Sequence, residues 1–367
     1  MSFYDDLQEL DQQSLHKKIL TADEEAVNRA LSKENLSLDD YAALLSPAAG
    51  GYLEQMAKKA QEITFRHFGK VVILFAPIYL ANYCVNQCLY CGFNVHNRIG
   101  RGKLNTLDVA RESKTVAGRG IKNILLLTGE SRQHSGVEYI KECVQEARKY
   151  FPFVSLEVYP LDVEEYQQLT ESGVDGLTLF QEAYDEDTYK MMHPGGPKSN
   201  YRYRLEAPER GCQGGIRSMG IGALLGLHHW RTEAFFTALH ANFLMKNYPD
   251  VEVSVSLPRM RPHTGSFQVP SPVNDKDFVQ IMLALRLFLP NVGITISTRE
   301  RPEFRDNLIG IGLTRMSAGA VTEVGGYSEK KGDGQFDVSD SRSVEEIRQM
   351  LYQKGFQPVF KDWQNIS

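Results

Sequence analysis

The chain has 367 residues, 42% of them hydrophobic, with 41 Lys and Arg against 46 Asp and Glu for a formal net charge of −5. That length buries a large core, and the mild acidity offers no positive field for nucleic acid or an anionic membrane. No apolar run reaches a membrane span, and the opening MSFYDDLQELDQQ lacks a signal peptide's apolar core, so a cytoplasmic globular protein is expected.

Residues 1–69 read as a helical extension, with apolar positions recurring every three or four residues from Leu36 onward. Ser37 and Asp40 in SLDD predict a capping box that opens a helix over YAALL. From residue 70 short apolar runs alternate with helical stretches. The predicted strands cover 71–77, 123–129, 154–160, 176–181, 221–226, 251–258, 292–298 and 313–319. Eight strands alternating with helices predict an α/β fold, a (βα)8 TIM-type barrel over 70–320. Polar strand ends (TGE, EVYP, FQEAY, SLPRMR, STRE) favour the barrel over an open doubly wound sheet, because barrel enzymes carry their chemistry there. A Gly-, Pro- and Arg-rich excursion over 185–219 is expected to fold across that face, and 321–367 reads as a small C-terminal cap.

Of five cysteines, Cys84, Cys88 and Cys91 fall within eight residues, directly after the first strand, whereas Cys143 and Cys212 stand alone. A reducing compartment rules out a disulfide framework. Three thiolates at this spacing suit one soft metal centre, a [4Fe–4S] cluster with one iron left open to a non-protein ligand. A Cys3His zinc site using His96 is the alternative. Cys143, on a helical pattern, reads as a small buried hydrophobe, and Cys212 as a tolerated thiol.

The pattern Cys84-x3-Cys88-x2-Cys91, with Tyr90 before the last cysteine and after strand one of a barrel, resembles the radical S-adenosylmethionine (SAM) superfamily. In that family one electron through the cluster cleaves SAM to methionine and a 5′-deoxyadenosyl radical. The segments LSPAAGGYLEQMA, YLANYCVNQCLYCGF, LLLTGE, LEVYPL, FQEAYDEDTY, RYRLEAPERG, SLPRMRP, STRERPEFRD and FKDW together resemble the tyrosine lyases of thiazole biosynthesis, the 2-iminoacetate synthases, across almost the whole chain. The hydrogenase-maturation tyrosine lyases are similar but carry a second cysteine-ligated cluster in a C-terminal extension. No cysteine follows Cys212 here, so the thiazole branch is the expectation.

The resemblance implies scission of the Cα–Cβ bond of L-tyrosine to p-cresol and 2-iminoacetate (dehydroglycine), at the expense of SAM, for the thiazole moiety of thiamine. It also implies a thiazole synthase partner and an electron donor of the flavodoxin or ferredoxin type. Cys84, Cys88 and Cys91 would hold the cluster, and Tyr90, Glu130, Glu157, Gln181, Glu182, Arg204 and Gly222 would contact SAM. Glu130 suits the SAM ammonium and Arg204 its carboxylate, while Gly222 lets adenine approach the backbone. Tyr184 ends the fourth strand beside Gln181 and Glu182 and shares that expectation. Ser297 and Arg299 would bind the tyrosine carboxylate, with Arg259 as a further cation, unless these arginines bridge Glu300 or Asp306 in an ion network. Where related sequences carry a cysteine after the PRxRP segment this chain has His263, which argues against a thiol there. Arg98, Arg101 and Lys103 read as a solvated loop. Two further readings stay open: a tryptophan lyase of the same superfamily, and a non-catalytic metal-binding or electron-transfer protein.

Overall fold

The computed structural model describes residues 2–261 and 267–360. His263 and the FKDW tryptophan, Trp363, therefore lie outside the described residues. Eight strands form a closed parallel barrel: β1 Val71–Ala81, β2 Asn123–Thr128, β3 Phe153–Glu157, β4 Gly176–Thr178, β5 Ser218–Ile221, β6 Glu252–Ser256, β7 Gly293–Ile296 and β8 Arg315–Ser317. Each pairs with its sequence neighbour, and β1 closes the ring by pairing with both β2 and β8. A ninth strand, β9 (Gln357–Val359), runs parallel to Val71–Ile73, below the point where β2 joins β1 at Phe75. The expected eight strands are all present, but the fifth is displaced. The ladder uses 218–221, while 222–226 bends away and makes single bridges from Ala223 to Glu182 and from Leu225 to Arg259.

The strands read as near-continuous apolar runs because both of their faces are covered. In β1 the outward Val72, Leu74, Ala76 and Ile78 are fully buried under helices, while the inward Ile73, Phe75, Pro77 and Tyr79 line the barrel. Four of the surrounding helices start on the same device. Asn105 with Asp108, Asp162 with Glu165, Asn274 with Asp277 and Ser343 with Glu346 each form a capping box, satisfying amides the helix leaves open. The box at Ser37 and Asp40 is present too, and heads helix Leu38–Leu44. In this N-terminal layer Tyr41 stacks on Phe288, 4.5 Å between ring centres, and donates its hydroxyl to the Ala234 carbonyl.

Two features position the site. The barrel interior is lined below by small and polar side chains, Ser155, Gly176, Ser218 and Ser254, rather than by the bulky layers that usually fill such barrels. The result is a cavity of about 1200 Å³, counting its open mouth, reaching from Ile73 and Arg315 up to Arg299 and Phe336. After β8 the chain returns across that mouth, where Val324 bridges Tyr79 and Gly332, and then descends to helix Val344–Gln353 and β9.

Candidate active site

The cysteine loop leaves β1 and is organised from within. Arg101, which reads from sequence as solvated, instead turns inward: its guanidinium donates to the carbonyls of Asn82, Phe93 and Asn94 at 2.6, 3.0 and 2.7 Å. Those carbonyls face a turn with no ladder of its own, so a cation with a fork of donors substitutes for one. Gly129 lets β2 approach the loop, since a Cβ there would lie 2.4 Å from the Tyr83 carbonyl and 3.2 Å from Cys84 Cβ. Glu130 accepts from the Asn86 amide at 2.6 Å, and its backbone carbonyl accepts from Val85 N–H. The side chain expected to meet SAM thus also braces the cysteine loop.

Cys88 is buried and Cys84 and Cys91 are half-buried, all three as free thiols. Burial, with a smaller push from Cys91 and Cys84 and against the pull of Lys198, raises the Cys88 thiol to about 12. Three thiols on one loop, close enough that Cys84 and Cys91 raise Cys88 and Cys84 raises Cys91, fit a group that takes one thiolate per iron. Among the described residues, no three His, Cys, Asp or Glu side chains converge as the ligands of a single ion would, and His96 sits on an exposed turn. That geometry does not suit a Cys3His zinc site. Cys143 and Cys212 lie apart, with burial pushing each thiol up to about 12, as suits inert side chains.

Tyr90 packs with Cys88, Met192, Leu224 and Leu227, and its hydroxyl lies 2.7 Å from His193 Nε2. Beyond it the 185–219 excursion does cross this face. Gly195 accepts from Gln87 N–H, and Lys198 N–H donates to the Asn86 side chain. The same segment delivers Lys198 and Arg204 to Glu182, with contacts of 2.7 and 3.4 Å. Burial raises the Glu182 carboxyl, but the two cations outweigh it and hold the group below the usual carboxylate range. Glu182 also sits at φ 73°, a left-handed conformation that costs a non-glycine residue about 1–2 kcal/mol. Lys198 and His193 were not singled out from sequence. They lie in an irregular stretch where no periodicity marks which residue turns inward.

Gln181 is 2% exposed, and neither its amide nitrogen nor its oxygen has a partner. An orphaned buried amide costs on the order of 1–3 kcal/mol. Such an amide, just past the end of β4, is left for a polar partner. Inside the mouth, Glu157, Ser297 and Arg299 share the cavity wall with Tyr79, Gln335 and Phe336. The Arg299 guanidinium lies 3.6 Å over the Phe336 ring, and its backbone N–H donates to Ser297 Oγ at 3.3 Å. Burial raises the Glu157 carboxyl to about 7, a shift that Arg299 opposes.

Three expected contacts are not brought into this group. Arg259 is spent on a structural network: it pairs with both oxygens of Glu300, with Asp275 at 2.9 Å and with the Val273 carbonyl at 3.2 Å. The ion-network alternative therefore holds for Arg259, whose carboxylate partner comes from the end of the adjacent strand. Gly222 faces its neighbour strand, since a Cβ there would lie 2.5 Å from the Ser256 carbonyl. Its small size serves strand packing there. Tyr184 points away, to His240 Nδ1 at 3.0 Å, on the helix Trp230–Asn247.

A closed parallel barrel whose mouth carries a three-cysteine loop and unpaired polar groups defines an enzyme of the radical SAM class. The family model "Radical SAM superfamily" matches residues 78–237, and "Biotin and Thiamin Synthesis associated domain" matches 256–357. The chain is 40% identical to 2-iminoacetate synthase of Escherichia coli K12, over 99% of its own length and 97% of that protein. It is 40% identical to the Salmonella typhimurium LT2 enzyme of the same name, over 92% and 90%. Among solved structures it resembles HydG, a maturase of the [FeFe]-hydrogenase, with a TM-score of 0.86 and 32% identity, covering 98% of this chain and 79% of that one. The chain belongs to the 2-iminoacetate synthases. That membership sets aside the non-catalytic metal-protein reading.

Proposed function

We propose that the protein cleaves the Cα–Cβ bond of L-tyrosine to p-cresol and 2-iminoacetate, consuming SAM to 5′-deoxyadenosine and methionine. One observation carries this reading. The cavity holding Ser297, Arg299 and Glu157 ends at Tyr79 and Gln335, and Gln335 touches the Cys91 sulfur at 3.6 Å. An amino-acid-sized chamber with a cation thus abuts the cysteine loop.

Cys84, Cys88 and Cys91 hold the [4Fe–4S] cluster, and Gln181, Glu182 and Arg204 offer SAM its polar contacts. When bound, these groups supply the single electron and the radical that begins the reaction. The protein's own work is to bind, orient and shield. Arg299 and Ser297 take the tyrosine carboxylate, the guanidinium giving a fixed fork and the Phe336 ring holding it in plane. Glu157, with its carboxyl near 7, accepts or returns a proton close to neutral pH, within reach of the Arg299 field. The apolar lining of Phe75, Leu125, Leu127 and Phe180 suits an aromatic ring and keeps water from it. Because 2-iminoacetate hydrolyses readily, we propose its direct handover to a thiazole synthase, with electrons from a flavodoxin- or ferredoxin-type donor. The substrate is tested by giving the anaerobically reconstituted enzyme SAM, reductant and either tyrosine or tryptophan. Turnover of tyrosine alone supports the reading, and turnover of tryptophan alone replaces it with the tryptophan lyase.

A further inference from the structure

The loop that crosses the barrel mouth does more than close it. Gln335 donates from Nε2 to Cys91 Sγ at 3.6 Å and accepts at Oε1 from the Tyr79 hydroxyl at 3.0 Å. The two contacts fix the amide's orientation: a flipped amide would set its oxygen against a thiolate, acceptor to acceptor. Tyr79 is 4% exposed on β1, so its hydroxyl stays in place. The backbone on the N-terminal side of Gln335 is pinned as well. Asp333 exchanges backbone hydrogen bonds with the cysteine-loop side through Gly100, its N–H donating to the Gly100 carbonyl at 2.9 Å and its carboxylate accepting from Gly100 N–H at 2.8 Å. The Asn82 amide ties the carbonyls of Gly100 and Asp333 together at 2.8 and 3.0 Å. Gly92, next to Cys91, has its missing Cβ 2.4 Å from the Gln335 carbonyl, so any larger residue there would push the glutamine off the sulfur. The backbone N–H of Phe93 also serves Cys91.

Resting on the cluster reading above, we infer that Gln335 is a positioning residue for the reduction potential, its N–H···S bond to Cys91 making the cluster easier to reduce. Reduction adds negative charge that spreads onto the ligating sulfurs, and a donor aimed at one of them favours the reduced state. The electron needed for each turnover is thereby made easier to deliver by a residue 244 positions away from the ligand it touches.

The test is a paramagnetic-resonance redox titration of the reconstituted, iron-quantified protein without substrate. Gln335→Leu removes the donor, and Gln335→Glu keeps the acceptor for Tyr79 but faces the sulfur with a carboxylate. Both are expected to lower the reduced-to-oxidised ratio at a fixed potential, the leucine variant about tenfold, which is 59 mV for one electron, and the glutamate variant by more. A leucine variant with full iron and an unmoved potential overturns the proposal. Should that variant lose its iron, Tyr79→Phe takes over, since it leaves the glutamine in place and frees its amide to turn. An unmoved potential there overturns the proposal equally. A wild-type protein with no reduced-state signal at all would instead count against the cluster reading itself.

Discussion

Two sets of polar side chains divide the molecule into frame and mouth. In the frame, Arg286 is fully buried and gives its donors to the carbonyls of Pro290, Val292 and Gly312, each at 2.8 Å. Arg305, equally buried, holds Asp340 and the Ser317 carbonyl. At the mouth, Arg299 rests on an aromatic ring facing the cavity, and Gln181 has no partner on either amide atom. Burying such groups costs free energy unless they are hydrogen-bonded. In the frame the protein offsets most of that cost, Arg286 Nε and Arg305 Nε aside; at the mouth Gln181 is met by no protein partner on either amide atom. On the proposed reading, the difference separates polar groups that maintain the fold from those that meet SAM and substrate.

The sharpest way to break this division is at the cysteine loop. Cys88→Ala is expected to abolish p-cresol and 5′-deoxyadenosine formation while near-native circular dichroism is kept, as product analysis and spectra would show. Next comes an arginine pair. Arg299→Gln should lower kcat/KM for tyrosine by 100- to 1000-fold, about 2.7–4 kcal/mol, with little change in Tm. Arg286→Met should do the reverse, costing at least about 3 kcal/mol of stability in denaturant titration by orphaning three carbonyls. A large Tm loss in Arg299→Gln would erase the distinction.

Glu157 sharpens the comparison through pH. Its folded carboxyl lies near 7, above the ordinary 4.5, so the folded state holds its proton more tightly than the unfolded chain. The resulting stability is full below about 4.5, is lost as pH rises and is gone above 7. Glu157→Gln should therefore match the ligand-free wild type in acid and exceed it at pH 8, by up to roughly 3 kcal/mol in chemical unfolding. The smallest effect is expected at Gln181. Gln181→Leu should be neutral or slightly stabilising without ligand, yet weaken SAM binding about tenfold by calorimetry.

Much of this was legible in the sequence because barrel architecture is periodic. Alternating apolar runs and helix-start signals marked seven of the eight strands closely and the fifth a few residues late, and the strand ends Glu157, Ser297 and Arg299 line the cavity. The cysteine triad is a local spacing, readable without a fold. What was hidden is non-local. The partner that removes Arg259 from the site, Glu300, lies 41 residues along the chain, so nothing near Arg259 betrays the pairing. Arg101 resembled any charged loop residue until the carbonyls it gathers were in place. Lys198 and Gln335 sit in stretches with neither helical nor strand period, where only the folded chain shows which side chain turns inward.

The most direct test is the time course of p-cresol beside 5′-deoxyadenosine in anaerobic, cluster-loaded enzyme given SAM, tyrosine and a strong reductant. The account predicts that the two rise together when tyrosine saturates, and that Arg299→Gln slows p-cresol while deoxyadenosine continues to form. Deoxyadenosine with no p-cresol in the wild type, or p-cresol unaffected by the loss of Arg299, would contradict it.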